Sequence, residues 1–372
     1  MKILYSCLSK SWGGMEMFTL TAVKQLHKKN IQTELICIKE SRIHIEANNR
    51  GIITHPVKAA GYFHPFSTLK LVSIIRRGGY TLIHTQASKD LWLLVPALKI
   101  LDCKIPLILT KQVGSGIEKK DAFHKWIYNR VTFALAISNV IKKNLLDTCP
   151  LEESKVLLLH NGIDTQKFNP GKVDKEKVRK EFGIKENEIA IGMLARFSPG
   201  KGHEEFLFAA RELNLKYHNL RFIIVGEASR GENDYEESIK KSANDYGLDN
   251  LIFTGYRSDI PEVLSAMDIF VFPSHSEAFG IALAEAMAMC KPSVCSNSDG
   301  VLDIAVDGET SLLFENKNSN DLAAKISRLV DSPEIRLKLG KAARERAVNN
   351  FDLEILTERA IDIYNMAEKN NN

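Results

Sequence analysis

The sequence predicts an α/β protein made of two doubly wound parallel-sheet domains. Three observations carry this. At 372 residues the chain exceeds one ordinary core, so two domains facing across a cleft is the natural division. Short β-rich runs alternate with helix-length amphipathic stretches throughout, as in parallel sheets with crossover helices. A turn-rich connection, with Asn161-Gly162 and Asn169-Pro170-Gly171, interrupts the alternation near its middle.

In order, the first domain's strands are expected at Lys2–Leu8, Thr33–Lys39, Thr81–Gln86, Pro106–Gln112, Thr132–Ser138 and Lys155–His160. A second series runs Glu188–Arg196, Leu220–Glu227, Asn250–Tyr256, Asp268–Ser274, Pro292–Ser296 and Ser311–Glu315. The boundary is placed near Lys167, giving domains 1–166 and 167–350 and a last segment 351–372. From Asp321 to Glu368 the pattern is helical, with Leu322, Ile326, Leu329 and Val330 on one face.

Composition is that of an ordinary globular protein: 44% hydrophobic and 26% charged, with no low-complexity tract or internal repeat. The 6 cysteines form no CxxC pair and sit mostly in apolar runs, which favours reduced core residues and the cytosol. The N-terminal apolar run is too short for a signal peptide and reads as a strand. The longest apolar stretch, Leu91–Leu101, contains Pro96 and Lys99 and falls far short of the roughly 20 residues that span a bilayer. Charge is uneven. Residues 1–165 hold 23 Lys and Arg against 12 Asp and Glu, a net +11, and the remainder holds 27 against 34, a net −7. A basic half is either a solvated surface or a face for an anionic partner such as phospholipid or phosphorylated glycolipid. No basic motif interleaved with aromatics appears, which argues against nucleic acid.

Neither standard phosphate fingerprint is present, which counts against P-loop NTPases and dinucleotide oxidoreductases. The first strand instead runs into Gly13-Gly14-Met15-Glu16, where paired glycines precede a helix whose N–H groups can face a ligand; a plain tight turn explains the glycines equally well. Further along, a strand ends in Arg196-Phe197-Ser198-Pro199-Gly200-Lys201-Gly202. Two cations on a loop at the carboxyl end of a strand can neutralise a diphosphate, although most such pairs are surface charges. The strongest local signal runs from Asp268 to Glu285: a buried strand stops at Pro273, a loop carries Glu277, and a helix from Gly280 carries Glu285 in its apolar face. A helix N-terminus there suits phosphate oxygens, and two carboxylates suit sugar and ribose hydroxyls; alternatively Glu285 pairs with a neighbouring base.

Together these residues resemble the retaining GT-B glycosyltransferases of the large "group one" family (family four), which includes sucrose, mannosyl and lipopolysaccharide-core transferases. The match covers nearly the whole chain: the turn at 13–16, His160-Asn161-Gly162-Ile163-Asp164, the Arg196–Lys201 loop, Ile224-Val225-Gly226-Glu227, and Glu277 with Glu285 in E-x7-E spacing. The resemblance implies an acceptor-side first domain, a donor-side second domain and a C-terminal segment returning to the first. It implies that Arg196 and Lys201 bind a donor diphosphate and that Glu277 grips the sugar. Gly226, Glu227 and the backbone of Phe279, Gly280 and Ile281 then complete the donor site, with Glu285 on the ribose. Two segments depart from the family pattern. Where many members carry a second histidine this chain reads Ile83-His84-Thr85-Gln86, so either His84 or Gln86 faces the sugar. The family's glycine pair is replaced at Ser298-Asp299-Gly300.

The expected activity is transfer, with retention, of a sugar from a nucleotide sugar to a glycan or anionic glycolipid, in lipopolysaccharide or other cell-surface polysaccharide synthesis. No cofactor or metal is expected, because Arg196 and Lys201 supply the charge that a divalent ion would. The enzyme is expected to be cytoplasmic, peripheral at the inner membrane face, with Lys111–Lys120 as a basic acceptor-side loop. A glycosidase also uses two carboxylates but has no need of a cationic diphosphate loop. A GT-B nucleotide-sugar epimerase and a non-catalytic sugar-nucleotide-binding protein are the remaining alternatives.

Overall fold

The computed structural model describes residues 1–59, 61–229 and 231–370. The chain forms two compact units: one of Met1–His160 together with the stretch from Leu356 onward, the other of Asn161–Ile355.

In the first unit seven strands, β1 (Lys2–Cys7), β2 (Gln32–Ile38), β3 (Thr54–Val57), β4 (Leu82–Thr85), β5 (Leu107–Lys111), β6 (Phe133–Ala136) and β7 (Val156–Leu158), form one parallel sheet. Their order is β3-β2-β1-β4-β5-β6-β7. The second unit holds β8 (Ile189–Leu194), β9 (Leu220–Val225), β10 (Leu251–Phe253), β11 (Ile269–Phe272), β12 (Ser293–Ser296) and β13 (Ser311–Phe314). Its parallel order is β10-β9-β8-β11-β12-β13. In each sheet the winding reverses beside the first strand of the unit, between β1 and β4 and between β8 and β11, and the carboxyl edge at such a reversal is where doubly wound sheets take ligands.

Strand β3 has no counterpart in the sequence reading. Its four residues contain His55 and Pro56, which break any apolar run, and its place at the sheet edge leaves the missing proline N–H harmless. The other strands stand where their patterns put them, and most stop short at the carboxyl end: Gln86, Gln112, Ser138, Arg196, Glu227 and Ser274 all fall in loops. Each is a polar or charged residue that closes a β-rich run, where the chain turns across the edge of the sheet.

The first core packs β1, β2, β4 and β5 residues such as Ile3, Leu35, Leu82 and Ile108 against Leu20 and Val23 of the helix Gly14–Lys28. Ile363, Tyr364 and Ala367 of the last helix, Leu353–Lys369, complete that core. In the second unit Ile191, Phe222, Ile224, Ile269 and Val271 meet Phe206, Ala210 and Leu213 of the helix His203–Asn214 and Leu322, Ile326 and Leu329 of the helix Ser319–Asp331. The two segments joining the units run side by side at the edge of the second. Ile163 N–H donates to Phe351 O and Leu353 N–H donates back to Ile163 O, each at 2.9 Å. Gly162 belongs there because a Cβ on it would stand 2.8 Å from Leu353 Cα. All 6 cysteines are free. No helix among the described residues is long and apolar enough to cross a membrane.

Candidate functional site

In the second unit the loops after β8, β9 and β11 are fastened to one another by backbone contacts that only glycine permits. Gly226, just past β9, has φ +144, and a Cβ on it would stand 1.9 Å from Ala195 O. Gly202 has φ +80, and its Cβ would stand 2.2 Å from Pro273 O. A hydrogen bond from His275 N–H to Gly200 O (2.9 Å) ties the first loop to the third.

This close approach brings together two residues far apart in sequence. Lys201 Nζ lies 2.5 Å from Glu277 Oε1, the two side chains being 25% and 17% exposed, so the pair is accessible to a ligand while partly sheltered from water. On the same loop Arg196 is exposed and donates to Ser229 Oγ at 2.8 Å. Ser198 Oγ donates to Glu232 Oε1 at 2.5 Å, and that bond, aided by the nearby Arg196 charge, holds the Glu232 carboxyl below its usual range. The positive charge at this edge is therefore preset by neighbours rather than free to collapse onto the surface.

Gly280, in the left-handed region at φ +108, ends the β11 loop and opens the helix Ile281–Ala288. A Cβ there would press on Phe272 and Ile304 at 3.3 and 3.4 Å. The N–H groups of a helix's first turn have no intrahelical acceptor, so the backbone around Ile281 is suited to an anion. Phe279 is buried, its ring edge-on to Phe351, so its side chain serves the core. Glu285 sits one helical turn further in, and burial pushes its carboxyl up to about 7 against the opposing pull of the Lys167 ammonium. Among the described residues no hydrogen bond or ion pair joins Glu285 to the Lys201–Glu277 pair. Glu227, at the end of the β9 run, accepts the Phe197 N–H through its backbone at 3.2 Å.

The divergent 298–300 segment has a supporting role that sequence reasoning missed. Gly300 N–H donates to Glu277 O at 3.0 Å, and a Cβ on Gly300 would stand 2.5 Å from Ala278 O, so the segment backs the Glu277 loop. Two histidines were likewise missed. His203 is fully buried and stacked on Phe197 at 4.6 Å, with burial lowering its ring to about 4. His275 Nε2 bonds Glu205 Oε1 at 2.9 Å. Both steady the cationic loop, and only the adjacency of His203 to Gly202 and of His275 to the Glu277 loop hinted at it.

In the first unit the sequence-derived residues lie deeper. Glu16 is buried and accepts the Gly13 N–H at 2.8 Å, so it caps the helix that Gly14 begins. Gly13, at φ −161, is extended. The expectation of a substrate-facing group in the Ile83–Gln86 segment meets two buried side chains. His84 is bonded at Nδ1 to Tyr364 Oη and at Nε2 to Thr110 Oγ1, both at 2.7 Å, and burial drives its ring down to about 3. Both ring nitrogens are thus committed to the core, which corrects the reading of His84 as a group facing the sugar. Gln86 is also buried, and its Oε1 accepts from Gln112 Nε2 at 3.0 Å. Asp90, buried beside these strand ends, accepts from Ser6 Oγ (2.8 Å), Leu8 N–H (3.1 Å) and Thr85 Oγ1 (3.0 Å). It fixes the loop that leads to Gly13; burial pushes its carboxyl up to about 6. Among the described residues no group of three His, Cys, Asp or Glu side chains converges as a metal cage.

Two family models match the chain in succession: Glycosyltransferase Family 4 over residues 12–167 and Glycosyl transferases group 1 over residues 174–346. An N,N'-diacetylbacillosaminyl-diphospho-undecaprenol alpha-1,3-N-acetylgalactosaminyltransferase of Campylobacter jejuni is 34% identical over 224 residues, 59% of this chain and 57% of that protein. The aligned part is thus less than two thirds of that relative's length. A UDP-Gal:alpha-D-GlcNAc-diphosphoundecaprenol alpha-1,3-galactosyltransferase of Escherichia coli is 25% identical over 312 residues, 80% of this chain and 78% of that protein. The crystal structure of a glycosyltransferase from Rickettsia africae superposes with a TM-score of 0.90 over 99% of each chain, at 23% identity. With both halves matched in order and the two-sheet architecture shared, the chain has the GT-B fold and belongs to the group 1 glycosyltransferases.

Proposed function

We propose that this protein transfers a sugar from a nucleoside diphosphate sugar to a glycan or glycolipid of the cell surface, with retention at the anomeric carbon and without a metal ion. The Lys201–Glu277 pair on glycine-fastened loops carries the reading. Leaving-group departure is the demanding step, because the diphosphate takes the electron pair of the sugar C1–O bond. Lys201 and Arg196, with the N–H groups at the start of the helix Ile281–Ala288, are placed to hold that charge. Glu277 exchanges its lysine partner for sugar hydroxyls, and Glu285 takes the ribose. Phe279, Gly280 and Ile281 serve through backbone, and Gly226 with Glu227 shapes the wall beside Arg196. Retention rests on the family likeness.

The names of the Campylobacter and E. coli relatives specify diphospho-undecaprenol acceptors, which supports an acceptor borne on a membrane lipid and a cytoplasmic enzyme peripheral to that membrane. Surface composition agrees. In the first unit Phe63 and Phe66 are 85% and 87% exposed. With Lys39, Lys58 and Lys70 they line a groove of about 440 Å³, an apolar and cationic mixture suited to anionic lipid.

Thermal stabilisation by a panel of UDP-, GDP-, ADP- and CMP-sugars tests the donor reading: a shift confined to one nucleotide identifies the base, and no shift with any of them sinks it. Product analysis by proton NMR then separates transfer with retention from epimerisation of the donor and from binding without turnover. Equal sedimentation with neutral and anionic vesicles at low salt would remove the membrane contact.

A further inference from the structure

Lys111 ends β5 at the carboxyl edge of the first sheet and is only 8% exposed. A buried ammonium has three donors to satisfy and is costly to desolvate without a counter-charge. Its one hydrogen bond among the described residues is to Ser88 Oγ, at a long 3.3 Å. Another cation, Lys119, stands close enough to repel it, and this repulsion adds to burial in bringing the Lys111 ammonium down to about 8. Among the described residues neither lysine forms an ion pair. The Tyr128 hydroxyl, 1% exposed, lies beside Ser88 and Cys149 without a hydrogen bond of its own.

Lys291 shows how this fold treats a structural lysine. It too is largely enclosed and faces other cations, Lys175 and Arg179, yet its Nζ donates to two carbonyls, Ser265 O at 2.9 Å and Met267 O at 2.7 Å, and Asp268 lies nearby to offset them. Among the described residues Lys111 has no such carbonyl or carboxylate partner, only the long contact to Ser88 Oγ, and it lies at the carboxyl edge where a doubly wound sheet takes its ligands.

We infer that Lys111, Lys119, the Ser88 hydroxyl and the Tyr128 hydroxyl form an anion site in the first unit that binds a phosphoryl group, the phosphate or diphosphate of the acceptor. Two ammonium groups match a dianion, and the hydroxyls supply directed donors that a simple charge patch lacks. Its residues all belong to the first unit, whereas the proposed donor diphosphate loop belongs to the second. It deepens the proposed function by making the acceptor a phosphorylated molecule, and it rests on that reading.

The test is calorimetric titration of the full chain, with UDP present at saturation, by inorganic pyrophosphate and separately by glucose 1-phosphate. A lysine-dependent binding event with pyrophosphate assigns a diphosphate-bearing acceptor, and one with the monoester assigns a phosphorylated sugar. Lys111→Met is expected to weaken the event at least tenfold. Lys119→Ala, at a partly exposed position, does the same and covers the case in which the buried substitution fails to fold. Absence of any event with either probe, affinity unchanged in both lysine variants, or equal binding of sulfate overturns the inference. UDP binding is read in the same experiment: its failure beside a surviving lysine-dependent event would sink the donor assignment and leave this site standing.

Discussion

Replacing either partner of the Lys201–Glu277 pair should have opposite effects on two ligands that differ only by a sugar. At 25% and 17% exposure the pair is neither a surface contact worth a few tenths of a kcal/mol nor a buried one. Lys201→Ala should therefore destabilise the second unit by about 1 kcal/mol, lowering its Tm by roughly 2–4 °C. Its effect on nucleotide is larger. A hydrogen bond to a charged group contributes about 1.5–3 kcal/mol, so loss of the ammonium should weaken UDP, or whichever nucleoside diphosphate proves correct, by roughly 10- to 150-fold. Glu277→Ala removes a carboxylate that competes with the phosphates for Lys201 and adds no charge of its own to the leaving group. Bare nucleoside diphosphate should then bind as well as in wild type or better, while the nucleotide sugar, deprived of its carboxylate contact, binds less well and turnover falls away. Calorimetry with both ligands on both variants, beside circular dichroism to confirm folding, gives the four affinities needed. Parallel loss of bare nucleotide in the two variants would mean that the pair acts only to hold the loops, and unchanged turnover in either would refute the assigned roles.

Two further outcomes follow from buried groups. Glu285 has a carboxyl raised from its usual 4.5 to about 7 by burial, so its ionisation costs the folded state stability that is intact below pH 4.5 and lost as pH rises through 7. Relative to wild type, Glu285→Gln should gain stability in urea titrations at pH 8 and show little gain at pH 4.5; a gain of the same size at both would remove the titration as its cause. Tyr364→Phe takes the hydroxyl from between Tyr5 Oη (3.0 Å) and His84 Nδ1 (2.7 Å), leaving a buried polar group unpaired at a cost of about 1–3 kcal/mol. Unfolding of the first unit should come earlier with nucleotide affinity unaltered, and a loss of nucleotide affinity would contradict the core role given to that network.

The alternation of apolar runs and amphipathic stretches made two parallel sheets legible, because a strand buried on both faces writes itself as an uninterrupted apolar segment. Strand β3 escaped because an edge strand tolerates Pro56 and the polar His55. The loops at the edge of the second sheet were legible for a related reason: glycines at 202, 226 and 280 are required by positive φ, and two of them also by contacts a side chain cannot share. Such constraints act at single positions and so can be read from single letters of the sequence. The partnership of Lys201 with Glu277 was not legible, since no local pattern says which of the loops at a sheet edge will meet.

The first unit shows the limit of reading chemistry from residue type. A histidine at the end of a strand next to the sheet's reversal has the right address for a catalytic group, and by address alone His84 could not be told from one. Its partners decide. A ring whose two nitrogens are each bonded at 2.7 Å and whose charged form is disfavoured by burial is already fully partnered within the core. Lys111 presents the opposite case: it too ends a strand at the carboxyl edge of the sheet, but its surroundings leave its donors largely unanswered. The proposed anion site at Lys111 and Lys119 is one specific reading of the basic first half, and the two lysine variants test it.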